Sequence, residues 1–246
     1  MTLRLARRAG HHQLVAVDLS GVPAVVLPGT GSDDDYVHRA FAAPLRQAGA
    51  LLVAPPPQPE RLIDGYRAAM DSAALDGPIA VGGVSIGAAV AAAWALDHPD
   101  RTIAVLAALP PWTGSPGAAA AALAARYSAQ QLRTDGLAAA TGRLYASSPL
   151  WLAEELARSW SAQWPLLPGA MEEAAAYVAP TRAQLARLTV PLGVAAATDD
   201  PVHPLEVAAE WVDAAPRAAL QTITLDDFGA DPATLGAACL TALRAT

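Results

Sequence analysis

The sequence contains a single cysteine, Cys239, so it can form no intramolecular disulfide and has no cluster of thiolates for a structural metal. It contains no lysine; the basic residues are arginines scattered along the chain, and with a net charge of −7 they leave no electrostatic footprint for nucleic acid. Missing lysine together with abundant alanine reads as genome base composition of the high-GC bacterial kind, not as chemistry. The opening MTLRLARRAG lacks the continuous apolar segment of a signal peptide. The long uncharged stretch from Ile103 to Ala125 is interrupted by Pro110, Pro111, Gly114 and Pro116. The expectation is a cytoplasmic protein without a membrane partner. No phosphate loop or dinucleotide fingerprint is present, so no cofactor is expected. The run Asp33-Asp34-Asp35 lacks the spacing and glycine of a calcium loop; it reads as the first turn of a helix, where negative charge is favourable, and no metal is expected. Nothing in the chain specifies an oligomeric state.

Hydrophobic residues make up 53% of the 246 and charged residues 16%, which excludes a disordered chain and fits one large domain with a two-sided sheet. Residues 2 to 8 and 13 to 19 alternate in polarity and predict a hairpin joined at Gly10 and His11. Beyond it, short apolar runs at 23–28, 50–54, 78–82, 102–109, 190–197 and 219–225 have no polar face, as parallel strands covered on both sides read. Segments of helical period at 34–48, 60–75, 86–97, 204–213 and 231–245 alternate with them, which predicts an α/β fold with a mostly parallel, doubly wound sheet. The stretch 112–188 breaks the alternation and predicts an inserted helical cap, leaving 1–111 and 189–246 as the core. Within it Leu152, Leu156, Trp160 and Trp164 recur every four residues behind Ser148 and Pro149, an N-cap and N1 pair, with Pro165 and Pro168 as stops. That stripe reads as helix packing; the functional reading makes Trp112, Trp160 and Trp164 an aromatic lid over an apolar substrate pocket.

The sharpest local signal is Gly82-Gly83-Val84-Ser85-Ile86-Gly87, a G-x-S-x-G match directly after the strand at 78–82 and directly before a helix. The glycines allow the sharp strand-to-helix turn that presents the Ser85 hydroxyl at the carboxyl end of the sheet. With its flanks, the chain resembles the α/β-hydrolase family over nearly its whole length. Pro28-Gly29-Thr30-Gly31-Ser32 is similar to that family's oxyanion loop, with Pro28 where histidine often stands, and the resemblance implies Thr30 and Ile86 as backbone N–H donors. His98-Pro99-Asp100-Arg101 resembles the family's helix-to-strand junction, which makes His98 structural. Thr198-Asp199-Asp200-Pro201-Val202-His203-Pro204 looks like its acid loop, and Asp200 fits the spacing to Pro204 better than Asp199 does. For either aspartate the competing reading is a turn residue.

The resemblance breaks after the last strand: Gly229 has its place, but Ala230 stands where the family's histidine should be, and none of the five histidines lies beyond residue 203. The substitute is His203, because a type I turn over Asp200–His203 would bring aspartate and histidine together in one loop, from which the imidazole could serve Ser85. Its competing reading is a residue that caps or packs beside the next helix. His38 is a weaker base candidate, and His11 and His12 lie in the predicted hairpin turn. The resemblance therefore implies a serine hydrolase acting on an ester or thioester with an apolar acyl group, with Ser85, Asp200 and His203 catalytic. Ala230 motivates the alternative, a non-catalytic relative that binds a small hydrophobic ligand.

Overall fold

The computed structural model describes residues 17–246. Six strands, β1 (Pro23–Leu27), β2 (Leu51–Val53), β3 (Ile79–Val84), β4 (Thr102–Ala108), β5 (Leu192–Ala197) and β6 (Ala218–Ile223), form one sheet of order β2-β1-β3-β4-β5-β6. Every neighbouring pair is parallel. Successive residues of a strand face opposite sides, and both sides are buried. Val25, Leu27, Val81, Val105 and Val194 pack on one face with α2 (Leu62–Ala73), α3 (Ile86–Asp97) and α8 (Leu205–Ala214). Ala24, Val26, Ala80, Leu106 and Ala195 pack on the other with α1 (Asp34–Gln47) and α10 (Ala233–Arg244). Alanine-rich strands let these helices approach closely: a Cβ on Gly193 of β5 would lie 2.3 Å from the Cys239 carbonyl of α10. Cys239 is a fully buried core residue, and burial pushes its thiol up to about 12.

The apolar runs at the two ends of the sheet are not covered on both sides. Leu51 of β2 is exposed, and β6 is half-buried except at the exposed Thr222, because an edge strand has one neighbour and a narrower helix cover. The predicted hairpin lies outside the described residues as far as residue 16; residues 17–19 carry no strand. The strand predicted over 219–225 ends at Ile223. Leu225–Ala230 forms a short helix, α9, closed by a reciprocal capping box between Thr224 and Asp227.

Between β4 and β5 stand four helices: α4 (Ala120–Ser147, broken at Gly136), α5 (Leu150–Gln163), α6 (Leu167–Ala176) and α7 (Arg182–Leu185). The first three share a small core of Ala129, Leu132, Trp160, Leu167 and Met171, while Leu185 of α7 joins the main core. Pro149, not Ser148, is the N-cap of α5, and Pro168 opens α6 instead of stopping α5, since proline is well tolerated in a first turn. Trp164 falls one residue past the end of α5 and is exposed.

This insertion is fastened to the sheet layer by polar contacts. Glu173 of α6 accepts hydrogen bonds from the Leu62 and Ile63 amides, capping α2, whose own N-cap Arg61 makes no side-chain cap bond. Arg158 of α5 grips Asp33 through both carboxylate oxygens at 2.7 and 2.9 Å, and Asp33 also accepts from the Tyr36 amide as the N-cap of α1. Burial pushes the Asp33 carboxyl up, but the Arg158 guanidinium and the Tyr36 amide outweigh it and hold it below the ordinary carboxylate range. Among the described residues, no helix is long and apolar enough to cross a membrane.

Asp33→Asn keeps a capping oxygen but removes the charge that Arg158 clasps, and at neutral pH it is expected to cost about 1 kcal/mol. A carboxyl held below its unfolded-state value stabilises the fold above that value, about pH 4, and loses the contribution as pH falls through its folded value. The difference in urea-unfolding free energy between wild type and D33N should therefore be constant down to about pH 5 and close toward about pH 3. A difference that persists in acid would show that the charge is not what fastens α5.

Candidate active site

The order of the sheet creates the site. The chain leaves β1 for β2 on one side and returns to β3 on the other, so the loops after β1 and β3 diverge and open a crevice at the carboxyl ends of these strands. Ser85 sits there, between the last residue of β3 and the first of α3, with φ 52° and ψ −117°. A non-glycine residue at such a φ is strained by about 1–3 kcal/mol and persists only where its surroundings fix it. They do so here. The Ser85 amide donates to the Ala108 carbonyl of β4 at 2.9 Å, while a Cβ on Gly83 would lie 2.4 Å from the Gly87 carbonyl carbon and one on Gly87 would lie 2.4 Å from the Leu27 carbonyl oxygen. No larger residue fits at either glycine without moving backbone.

His203 reaches this hydroxyl: its Nε2 lies 2.9 Å from Ser85 Oγ, and its Nδ1 lies 2.7 Å from Asp200 Oδ2. An ionised carboxylate only accepts, so Nδ1 carries the proton and Nε2 is the acceptor for the serine O–H. The bend from Asp200 to His203 is closed by the aspartate side chain: Oδ1 accepts from the amides of Val202 at 2.7 Å and His203 at 3.2 Å. Burial alone would raise the Asp200 carboxyl; the His203 imidazole and these two amides overcome that and hold it below the ordinary carboxylate range. Asp199 points elsewhere, accepting the Leu225 amide at the start of α9. His38 lies exposed on α1, and His98 stacks on Trp94 with ring centroids 4.4 Å apart. His11 and His12 lie outside the described residues.

The loop after β1 passes over the serine: a Cβ on Gly29 would lie 3.6 Å from Ser85 Cβ. Thr30 follows it in a turn closed by the Ser32 amide on the Gly29 carbonyl, and Ile86, as the first residue of α3, has an amide with no acceptor inside its helix. Gly31 adopts φ +72° directly under Trp160, where a Cβ would lie 2.6 Å from the indole nitrogen and 3.0 Å from Met171 Cε. Trp160 is thus brought to the loop beside Ser85. Trp112 is buried in the core, its indole donating to the Tyr177 carbonyl, and Trp164 stays at the exposed end of α5. Asp33, Asp35 and Glu155 bring carboxylate oxygens within 4.8 Å of one another, but Arg39 and Arg158 are already paired with these carboxylates.

Three side chains at this site were not singled out from the sequence: Arg158, Ser159 and Gln163. Gln163 Nε2 donates to the Ser32 carbonyl at 3.0 Å and to Ser159 Oγ at 2.9 Å. Their signal was a polar row, Glu155, Ser159 and Gln163, at spacings of four on α5 beside the apolar row.

No protein-family model and no curated protein match the sequence. Solved structures do match. Rv0554 from Mycobacterium tuberculosis superposes with a TM-score of 0.67 at 19% identity, covering 92% of this chain and 91% of its own. An esterase from Thermogutta terrifontis gives 0.61 at 19% identity, over 83% of this chain and 82% of its own. The enol-lactonase from Burkholderia xenovorans gives 0.61 at 20% identity, over 84% and 86%. With the six-stranded parallel sheet and the serine on its strand-to-helix turn, these likenesses show that the chain has the α/β-hydrolase fold.

Proposed function

We propose that the protein is a serine hydrolase cleaving an ester or thioester with an apolar acyl group, with Ser85 as nucleophile, His203 as general base and Asp200 as its orienting acid. The observation that carries this reading is the line of two hydrogen bonds from Ser85 through His203 to Asp200, at 2.9 and 2.7 Å. Ser85 Oγ attacks the acyl carbonyl while His203 Nε2 takes its proton; the imidazolium then returns that proton to the leaving alkoxide or thiolate. Water, deprotonated by the same imidazole, hydrolyses the acyl-serine. The amides of Thr30 and Ile86 receive the developing oxyanion. The helices of 112–188 act as a cap, and Trp160 and Met171 beside Gly31 give the acyl group an apolar wall. Two of the structural neighbours, an esterase and an enol-lactonase, are named for ester-bond chemistry, which favours the same reaction class.

The alternative, a binding protein without catalysis, was motivated by Ala230. The imidazole of His203 meets that objection from a different loop, and strain held at Ser85 would serve no purpose in a passive pocket.

A fluorophosphonate probe should label the wild type at Ser85 and leave Ser85→Ala unlabelled, read by mass spectrometry of the tryptic peptides. Equal absence of label from both proteins, under conditions that label a working esterase, would remove the nucleophile assignment. Asp200→Asn should lower kcat on a p-nitrophenyl ester by about 10³–10⁴ with little change in KM, because an amide at that position no longer enforces the reactive tautomer. A variant within a few-fold of wild type would remove Asp200 from the mechanism.

A further inference from the structure

Polar side chains are seldom buried without a partner, and where they gather they define one geometry at the cost of desolvation. Among the described residues, the buried polar or charged ones are Asp33, Ser85, Thr102, Ser159 and Gln163. Ser85 is the nucleophile already assigned and Thr102 ties the His98 junction. The other three meet at one place, where α5 of the insertion lies on the loop carrying Thr30. Gln163 holds the Ser32 carbonyl, Ser159 completes the second donor of Gln163, and Arg158 fixes Asp33 by a two-pronged pair. Trp160, between them, packs with Met171 against Gly31. Residues 31, 32 and 33 are thus each gripped from the insertion. Fastening two layers needs none of this; apolar residues would do it with less desolvation.

We propose that Arg158 and Gln163 are positioning residues that hold the oxyanion loop in register, so that seating of α5 and readiness of the oxyanion hole are one event. This rests on the reading of Thr30 and Ile86 as oxyanion donors. Ser85 is 8% exposed, and α5 lies through Trp160 on the loop that passes over it, so in this proposal substrate enters when the insertion lifts. Lifting α5 releases the Ser32 carbonyl and the Asp33 carboxylate, and the Thr30 amide loses its fixed position. Reseating over a bound acyl group restores it. The enzyme is then competent only when closed, which protects the acyl-serine step from an open, misaligned site.

The test compares Gln163→Met, which lacks the donor, and Arg158→Lys, which keeps the charge but not the two-pronged geometry, with wild type. Three quantities are read on p-nitrophenyl butyrate: kcat, KM and inhibition by phenylboronic acid, whose tetrahedral adduct on a serine places an oxygen where the oxyanion forms. A misplacement on the order of 1 Å costs up to about 100-fold, so a loss of about 10-fold or more in kcat is expected for Gln163→Met, with KM within about 2-fold. Affinity for the boronate should fall by the same factor as kcat, and Arg158→Lys should show a smaller loss of the same pattern. Thermal unfolding checks that both variants are folded; if one is not, the other carries the test. An active wild type whose folded variants keep wild-type kcat and boronate affinity overturns this inference and leaves the proposed function standing. A wild type without Ser85-dependent turnover overturns the function and this inference with it.

Discussion

The structure turns on a backbone conformation that one residue would not adopt alone. Ser85 stands at φ 52° because β3, α3 and the end of β1 come together around Gly83 and Gly87 with no room for a side chain at either. That crowding holds the hydroxyl outside the sheet, on the crevice where the strand order reverses, with the first amide of α3 beside it. Everything else at the site arrives at this fixed point: the turn after β1 from one side, the bend after β5 from another, and α5 from above. The strain is affordable because both faces of the sheet are packed with small residues that let helices lie close.

The imidazole comes to Ser85 from the loop after β5, and the segment after β6 is helical. Thr224 and Asp227 close a reciprocal capping box, so the segment winds into α9, and Trp151 of α5 packs against Phe228 and over Gly229. Ala230 is the last residue of that helix. His203 shares a loop with its carboxylate, and both partners are set by one bend. The neighbouring Asp199 then has separate work, holding the first amide of α9. Two adjacent aspartates thus divide between the candidate site and the start of α9.

Much of this was legible in the sequence because the signals are local. Apolar runs flanked by helical period place six strands and five helices within a few residues, since buried parallel strands leave no polar position to blur the pattern. The serine on its glycine-flanked turn and the Asp200–His203 bend were readable for the same reason. The edge exposure of β2 and β6 was not, because a strand's place in a sheet is set by pairing across the whole chain. Nor was α9: the capping box of Thr224 and Asp227 begins inside the apolar run 219–225, which reads as strand. The clamp of Arg158 and Gln163 was hidden most deeply, since its partners Asp33 and Ser32 lie more than a hundred residues away and only the fold brings them together.

Relocation of the general base to the loop after β5 is the claim from which the remaining chemistry follows, and imidazole rescue of His203→Ala measures it directly. Removing the side chain leaves a gap between Ser85 and Asp200 that free imidazole can enter. Ester hydrolysis by the variant should fall by about 10³–10⁴ and recover, saturably, with added imidazole in its neutral form. A variant that hydrolyses the ester at the wild-type rate without imidazole, while still requiring Ser85, would show that another group takes the proton and would contradict the account.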